Sequence, residues 1–140
     1  MKTSVHLIVS SILAIILYPT FSWNVIFIIV GGVFIDIDHY FWYVYKYKKF
    51  SLFDCYKFFI VEAEKNGWKY VIGVLLVFHT IEFLVLIVLS SFFNQLALIF
   101  TIGLLGHYLL DLVWHVLVPK RIIVNPSIIS WIVKNKIQKV

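Results

Sequence analysis

Four stretches of the chain are almost wholly apolar, and short polar or basic segments separate them. The first runs roughly over residues 3–18 and the second over 23–45; the third covers 68–89 and the fourth 95–118. A helix that crosses a bilayer needs about 20 apolar residues, within a range of about 17–25. The second to fourth stretches meet that length, and the first crosses with thinning of the bilayer. Pro19 predicts the end of the first helix at Tyr18, because a proline turns the residue before it away from helical geometry. Residues 50–66 have a different pattern. Leu52, Tyr56, Phe59, Ile60 and Ala63 recur at helical spacing, with Asp54, Lys57, Glu62 and Lys65 largely opposite. Such a segment lies in the membrane interface, and Asn66-Gly67 is its expected stop. A second interfacial helix is expected from Ser127, after Asn125-Pro126, within a basic tail over 119–140. The fold class is therefore all-α, an integral membrane bundle of about four transmembrane helices with interfacial amphipathic helices, in a single domain.

Composition agrees. Of 140 residues, 62% are hydrophobic and 14% charged, against about a quarter charged in soluble domains. The net charge of +5 raises the question of nucleic acid, and the positions of the basic residues answer it. Lys2 precedes the first stretch. Six lysines (46, 48, 49, 57, 65 and 69) lie between the second and third, and Lys120, Arg121, Lys134, Lys136 and Lys139 follow the fourth. The two remaining connections, 19–22 and 90–94, carry none. By the positive-inside rule, both termini and the long middle loop face the cytoplasm of a cell (inner) membrane. The basic residues then meet anionic lipid, not nucleic acid. No small-residue cleavage site follows the first stretch, so it reads as a retained helix. Cys55 is the only cysteine, which rules out an internal disulfide.

The polar residues inside the apolar stretches carry the chemistry. All five histidines lie there, with Asp36, Asp38, Glu82 and Asp111 among the seven acids. One ionised group at the centre of a bilayer costs roughly 2.5–3.5 kcal/mol on insertion scales. Four would approach the whole stability of a domain, about 5–15 kcal/mol, so each needs a partner. They occur as Asp36-Ile37-Asp38-His39, His79-Thr80-Ile81-Glu82 and His107-Tyr108-Leu109-Leu110-Asp111. Three- and four-residue spacings share a helix face. Each of the three later stretches is therefore expected to present a His–carboxylate pair, as bundle-core metal sites do. Asp36 stands ten residues from Lys46, His79 ten from Lys69 and Asp111 nine from Lys120. His107 stands thirteen from Lys120. At 1.5 Å per residue these are similar depths, roughly 13–20 Å from the basic flanks. His6, four residues from Lys2, is expected at the mouth of the site unless the first helix is displaced, and His115 in its surroundings or at the interface.

Imidazole and carboxylate suit Zn²⁺, Mn²⁺ or Fe²⁺, and this many donors suit two or more ions. Paired metals favour phosphoester hydrolysis. The expected ligands are His6, Asp36, Asp38, His39, His79, Glu82, His107 and Asp111. Asp36 or Asp38 would double as general base for the attacking water, and a membrane lipid or lipid-linked phosphate is the expected substrate. Two other readings use the same residues. One is a non-enzymatic protein that binds or moves metal ions or protons. Against it, the outer halves 83–89 and 99–105 offer little polar path. The other is a haem protein with His79 and His107 as axial ligands, which leaves four carboxylates unexplained.

These motifs resemble the membrane-bound metal-dependent hydrolase family, whose best-known branch is the YdjM-like, LexA-binding, inner-membrane-associated hydrolases. An N-terminal histidine there precedes an apolar helix, as His6-Leu7-Ile8-Val9-Ser10 does here. A Pro-Asp-x-Asp-His element closes the second helix, matched by Ile35-Asp36-Ile37-Asp38-His39. A Gly-x-x-x-His-x-x-x-Asp element matches Gly103 to Asp111. The resemblance covers roughly residues 6–115. It implies a helical membrane fold, a metal-dependent hydrolytic activity and these residues as ligands. Two positions depart from the family pattern: Ile35 replaces the proline, and Phe78-His79-Thr80-Ile81-Glu82 lacks one histidine and the arginine of the middle element. The pattern is also similar to the zinc-dependent phospholipase C and P1 nuclease group, which pairs histidine with Asp or Glu at the same spacing.

Overall fold

The structure, a computed structural model, describes residues 2–62, 74–117 and 126–137. Among them every regular element is helical, and there is no strand. The helices are α1 (Thr3–Phe21), α2 (Ile26–Val33), α3 (Ile37–Tyr47), α4 (Leu52–Lys57), α5 (Ile81–Ser91), α6 (Gln95–Leu117) and α7 (Ile128–Ile137). They fall into two compact units. The first is drawn from Met1–Asp36 and Leu84–Pro119, the second from Ile37–Phe83 and Lys120–Val140.

The first unit is built on α1, α2 and α6. Contrary to expectation, α1 continues through Pro19 and ends at Phe21. A proline in the last turn forfeits only one helical hydrogen bond. The reversal is made at Ser22, whose φ of 53° lies in the left-handed region. Its N–H still reaches the Tyr18 carbonyl, and a 3₁₀ turn, Ser22–Val25, leads into α2. Ala14, Val25, Ile28 and Ile99 form the buried core. The helices of this unit also approach one another closely along the backbone. Glycine permits it. A Cβ on Gly31 would strike the Phe100 carbonyl oxygen, and one on Gly103 the Ile28 carbonyl oxygen.

Two helical stretches, Thr3–Tyr47 with its internal turns and Gln95–Trp114, are long and apolar enough to cross a membrane. Only 11% and 28% of their most apolar windows are buried. Leu7, Ile8, Ile15 and Ile16 on α1, and Leu105, Leu109 and Leu112 on α6, are exposed. An exposed apolar surface of that extent suits contact with lipid or with an apolar partner.

The second stretch is not one continuous helix: a 3₁₀ turn at Phe34–Asp36 separates α2 from α3. The third departs further. Residues 68–73 lie outside the described residues, 74–76 are irregular, and Val77–His79 is a 3₁₀ turn. Thr80 is extended, with its Oγ1 accepting from the Phe83 N–H at 3.4 Å, so α5 starts only at Ile81. Threonine caps a helix in this way because its hydroxyl satisfies an orphan N–H of the first turn. Tyr43, Cys55, Phe59, Val74 and Leu76 form the core of this second unit.

The expected interfacial segment is helical from Leu52 to Lys57, and Ser51 caps it by accepting from the Asp54 N–H at 3.1 Å. A wider π turn, Phe58–Glu62, follows. Its inward residues are Cys55 and Phe59, whereas Leu52 and Tyr56 are exposed. The expected stop at Asn66-Gly67 and the tail residues 118–125 and 138–140 lie outside the described residues. From Ile128 the C-terminal helix forms as the pattern predicts.

Candidate functional site

In the first unit, α1 and α6 bring His6, His107 and Asp111 together, and the turn after α2 sets Asp36 beside His107. His6, His107 and Asp111 each offer a ligand atom within 4.8 Å of the others. Both imidazoles are 1% exposed. They stack with ring centres 3.8 Å apart and planes inclined by 14°. The α6 pair keeps its predicted spacing, with Asp111 Oδ2 3.3 Å from His107 Nε2. Asp36 Oδ1 lies 3.6 Å from the same nitrogen, and its Oδ2 accepts a long hydrogen bond from Thr3 Oγ1 at 3.5 Å.

The tautomer of His107 follows from its other nitrogen. Nδ1 lies 2.9 Å from the Gly32 carbonyl oxygen. A carbonyl only accepts, so Nδ1 carries the proton and a neutral ring has its lone pair on Nε2. That lone pair meets two carboxylates. Acceptors facing a lone pair repel unless a cation, a second proton or a metal ion, stands between them. His6 repeats the pattern. Its Nε2 is 3.3 Å from Asp111 Oδ1, yet out of line for a hydrogen bond, and neither ring nitrogen has a hydrogen-bond partner. An unsatisfied buried polar group costs roughly 1–3 kcal/mol. Two imidazole nitrogens and two carboxylates are the donor set of a zinc, manganese or iron site. His6, expected at the mouth, is instead a buried member of the centre.

In the second unit, Asp38, His39 and His79 form a group within the same limits. Asp38 is buried. Its Oδ1 faces His39 Nδ1 at 3.0 Å, and its Oδ2 faces His79 Nδ1 at 3.0 Å. Oδ2 also accepts from the Phe78 N–H at 3.1 Å. A carboxylate is acceptor-only, so both imidazoles donate from Nδ1 and, when neutral, hold their lone pairs on Nε2. This is the arrangement by which a carboxylate orients metal-binding histidines. Asp38, expected as ligand and base, has its oxygens committed to three donors.

Two expected faces are broken. The 3₁₀ turn at Phe34–Asp36 assigns Asp36 to the first centre, while Asp38 and His39 belong to the second. The extended Thr80 separates His79 from Glu82. Glu82 Oε1 accepts from the Ser127 hydroxyl at 2.6 Å and the Ile129 N–H at 3.3 Å, and Oε2 from the Ile128 N–H at 3.1 Å. Glu82 therefore holds the start of α7, where a carboxylate meets orphan N–H groups and the positive end of the helix dipole. Among the described residues it belongs to neither His–Asp group.

Sequence reasoning missed the backbone partners, the Gly32 carbonyl and the Phe78 N–H. Gly31-Gly32 was the available signal, since glycine lets a facing ring reach main-chain atoms. Compared with protein-family models, with curated proteins and with solved structures, the chain matches none of them.

Proposed function

We propose that this protein is an integral-membrane, metal-dependent hydrolase of phosphoesters, related to the membrane-bound hydrolases that its motifs resemble. It crosses the membrane four times with both termini on the cytoplasmic side. The observation that carries the metal reading is His6, 1% exposed, stacked on His107 and without a hydrogen bond at either nitrogen. Such a ring is stable when a cation takes its lone pair. His6, His107, Asp36 and Asp111 would hold the ion, and Asp38 would fix the ring orientation of His39 and His79. A divalent cation there would supply the charge that polarises a phosphoryl oxygen and activates a water. Asp36, whose side chain is 21% exposed, is better placed than the buried Asp38 to take the proton of the attacking water.

The test is metal content of the detergent-purified protein, measured by plasma mass spectrometry beside an Asp36→Ala/His107→Ala variant. The expected result is one or more zinc, manganese or iron ions per chain, lost in a variant that keeps its helical circular dichroism. Hydrolysis of a phosphodiester or phosphomonoester panel should then require the same metal. Absence of metal in both proteins after reconstitution would overturn the reading. Bound metal without hydrolysis, joined to metal flux in vesicles, would favour a carrier.

A further inference from the structure

In the first unit, α1 begins beside the His6–His107–Asp111 group. Thr3 is its first residue, and Thr3 Oγ1 donates to Asp36 Oδ2 at 3.5 Å. His6 sets its Nε2 3.3 Å from Asp111 Oδ1. The step from Thr3 to His6 rises only about 4.5 Å, so the end of the helix stands next to the group. The first N–H groups of a helix have no partner within it, and the positive end of its dipole lies there. Ser, Thr, Asp or Asn at the N-cap ordinarily satisfies such an end. Here the N-cap is Lys2, whose side chain makes no capping bond, and the first turn holds no acid. The Val5 N–H turns back to the Lys2 carbonyl at 2.9 Å. Among the described residues, no side-chain acceptor reaches the N–H groups of Thr3 and Ser4. Lys2 is exposed, and its charge adds to a helix end that stability would rather match with an anion. An uncapped helix end is by itself a general feature of proteins. His6, one turn in, sets this one apart: it is 1% exposed, has no hydrogen bond at either nitrogen, and faces the same group.

We propose that the N-terminus of α1 binds a phosphate group beside the His6–His107–Asp111 centre, through the N–H groups of Thr3 and Ser4 and the charge of Lys2. The identity of the anion rests on the hydrolase reading. Charge shows why the ion alone does not suffice. A divalent cation held by His6, His107, Asp36 and Asp111 would have its two charges matched by the two carboxylates. A phosphate then meets a centre of no net charge, and its attraction has to come from outside the ligand set. Lys2 and the helix end supply it, and the N–H donors orient the phosphate oxygens, as helix ends do for anions generally. Asp36, the proposed base, touches the same first turn through Thr3 Oγ1. The phosphate is thereby bound next to the group that would take the proton of the water. What is recognised is the phosphate itself, of a lipid or of a soluble ester.

The experiment is isothermal titration calorimetry of the full-length protein in detergent with inorganic phosphate and with hexyl phosphate, metal content being measured on the same preparations. Thr3→Pro deletes one donor at little cost to the helix. Proline suits the first helical position, and Lys2 already has the extended backbone (φ −74°, ψ 131°) that a following proline needs. Thr3→Val deletes the hydroxyl and keeps the N–H. Lys2→Gln, at an exposed position, tests the charge without touching the backbone. Inorganic phosphate should bind the parent, and Thr3→Val should keep the parent affinity. Thr3→Pro should weaken binding by on the order of tenfold, the loss of one hydrogen bond to a charged group. Lys2→Gln should weaken it about two- to fivefold, and less in high salt. Parent affinity in both Thr3→Pro and Lys2→Gln would overturn the proposal. Equal losses in Thr3→Val and Thr3→Pro would overturn it too, by showing the hydroxyl acting through Asp36. So would a parent that binds no phosphate either as purified or after metal reconstitution. Tighter binding of hexyl phosphate than of inorganic phosphate upholds the site and assigns it to lipid phosphates; the reverse order upholds it and assigns it to soluble ones. Phosphate held through Thr3 and Lys2 by a protein that carries no metal and hydrolyses no ester would uphold the anion site and sink the hydrolase reading, so the two failures are told apart.

Discussion

In the first unit the histidine proton goes to a backbone carbonyl, and carboxylates face the nitrogen that is left. The arrangement in the second unit is reversed. There the carboxylate takes the Nδ1 protons of two histidines. His107 donates to Gly32 and meets Asp36 and Asp111 with Nε2; His39 and His79 spend Nδ1 on Asp38. Residue type alone does not separate a ligand from the group that orients it. The partner of the second imidazole nitrogen does, because only one nitrogen of a neutral ring can donate.

Substitutions that remove a ligand should break this contrast most sharply. On the proposed metal reading, His107→Ala is expected to abolish metal retention, a loss of more than about 100-fold in affinity, because it removes one of the residues that would hold the ion. Asp38→Asn, which changes the partner of His39 and His79 and none of the four residues proposed to hold the ion, should leave metal retention at the parent level. Titration with a competing chelator distinguishes the two. Equal losses would show that Asp38 is itself a ligand.

Next in size are the glycines that let the first unit close. Gly31→Ala and Gly103→Ala each place a methyl against a carbonyl oxygen of the backbone. Overpacking of that kind costs about 1–3 kcal/mol. Gly106→Ala brings its methyl to 3.4 Å from Leu13 Cδ1, which is ordinary contact, and should change stability by less than about 0.5 kcal/mol. Thermal unfolding in detergent should therefore lower the midpoint for the first two variants and leave the third near the parent.

The second unit can be loosened at Glu82 without touching the first centre. Glu82→Ala removes the acceptor of two backbone N–H groups and a hydroxyl, which should fray the start of α7. Hydrogen exchange should speed up at residues 128–131 while metal content stays at the parent level. Loss of metal in this variant would return Glu82 to the ligand set.

Cys55 offers a probe that leaves the sequence unaltered. Burial pushes its thiol up to about 11 from an ordinary 9.0. The folded state thus favours the neutral thiol. Its contribution is fully present below about pH 9 and is lost as pH rises toward 11. At pH 8 the folded protein should be alkylated by iodoacetamide about 100-fold more slowly than the denatured chain, from the thiolate fraction alone. The chain has no other cysteine, so the rate reports on the second unit by itself.

Where the helical period runs without interruption, sequence spacing also gave side-chain geometry. His107 and Asp111 lie on one continuous turn of α6 and meet as the four-residue step requires. Asp36 with His39, and His79 with Glu82, fit the same rule on paper. Each pair straddles a break, at Phe34–Asp36 or at Thr80, that no Pro or Gly within the pair announces. Those breaks are made by tertiary partners. Asp38 draws the Phe78 N–H and the His79 ring out of helical register, and Ser127 with α7 claims Glu82.

The sequence by itself determined that the chain is helical, that its long stretches suit a bilayer, and which polar residues cannot stand there alone. These follow from composition, from the 3.6-residue period and from the cost of charge in lipid. Only the tertiary structure decided how those residues are grouped. It set His6 and Asp36 beside His107 and Asp111, turned Asp38 toward two imidazoles, and gave Glu82 to the start of a helix. Each choice depends on which backbone group lies opposite a side chain, and a one-dimensional pattern does not contain that information.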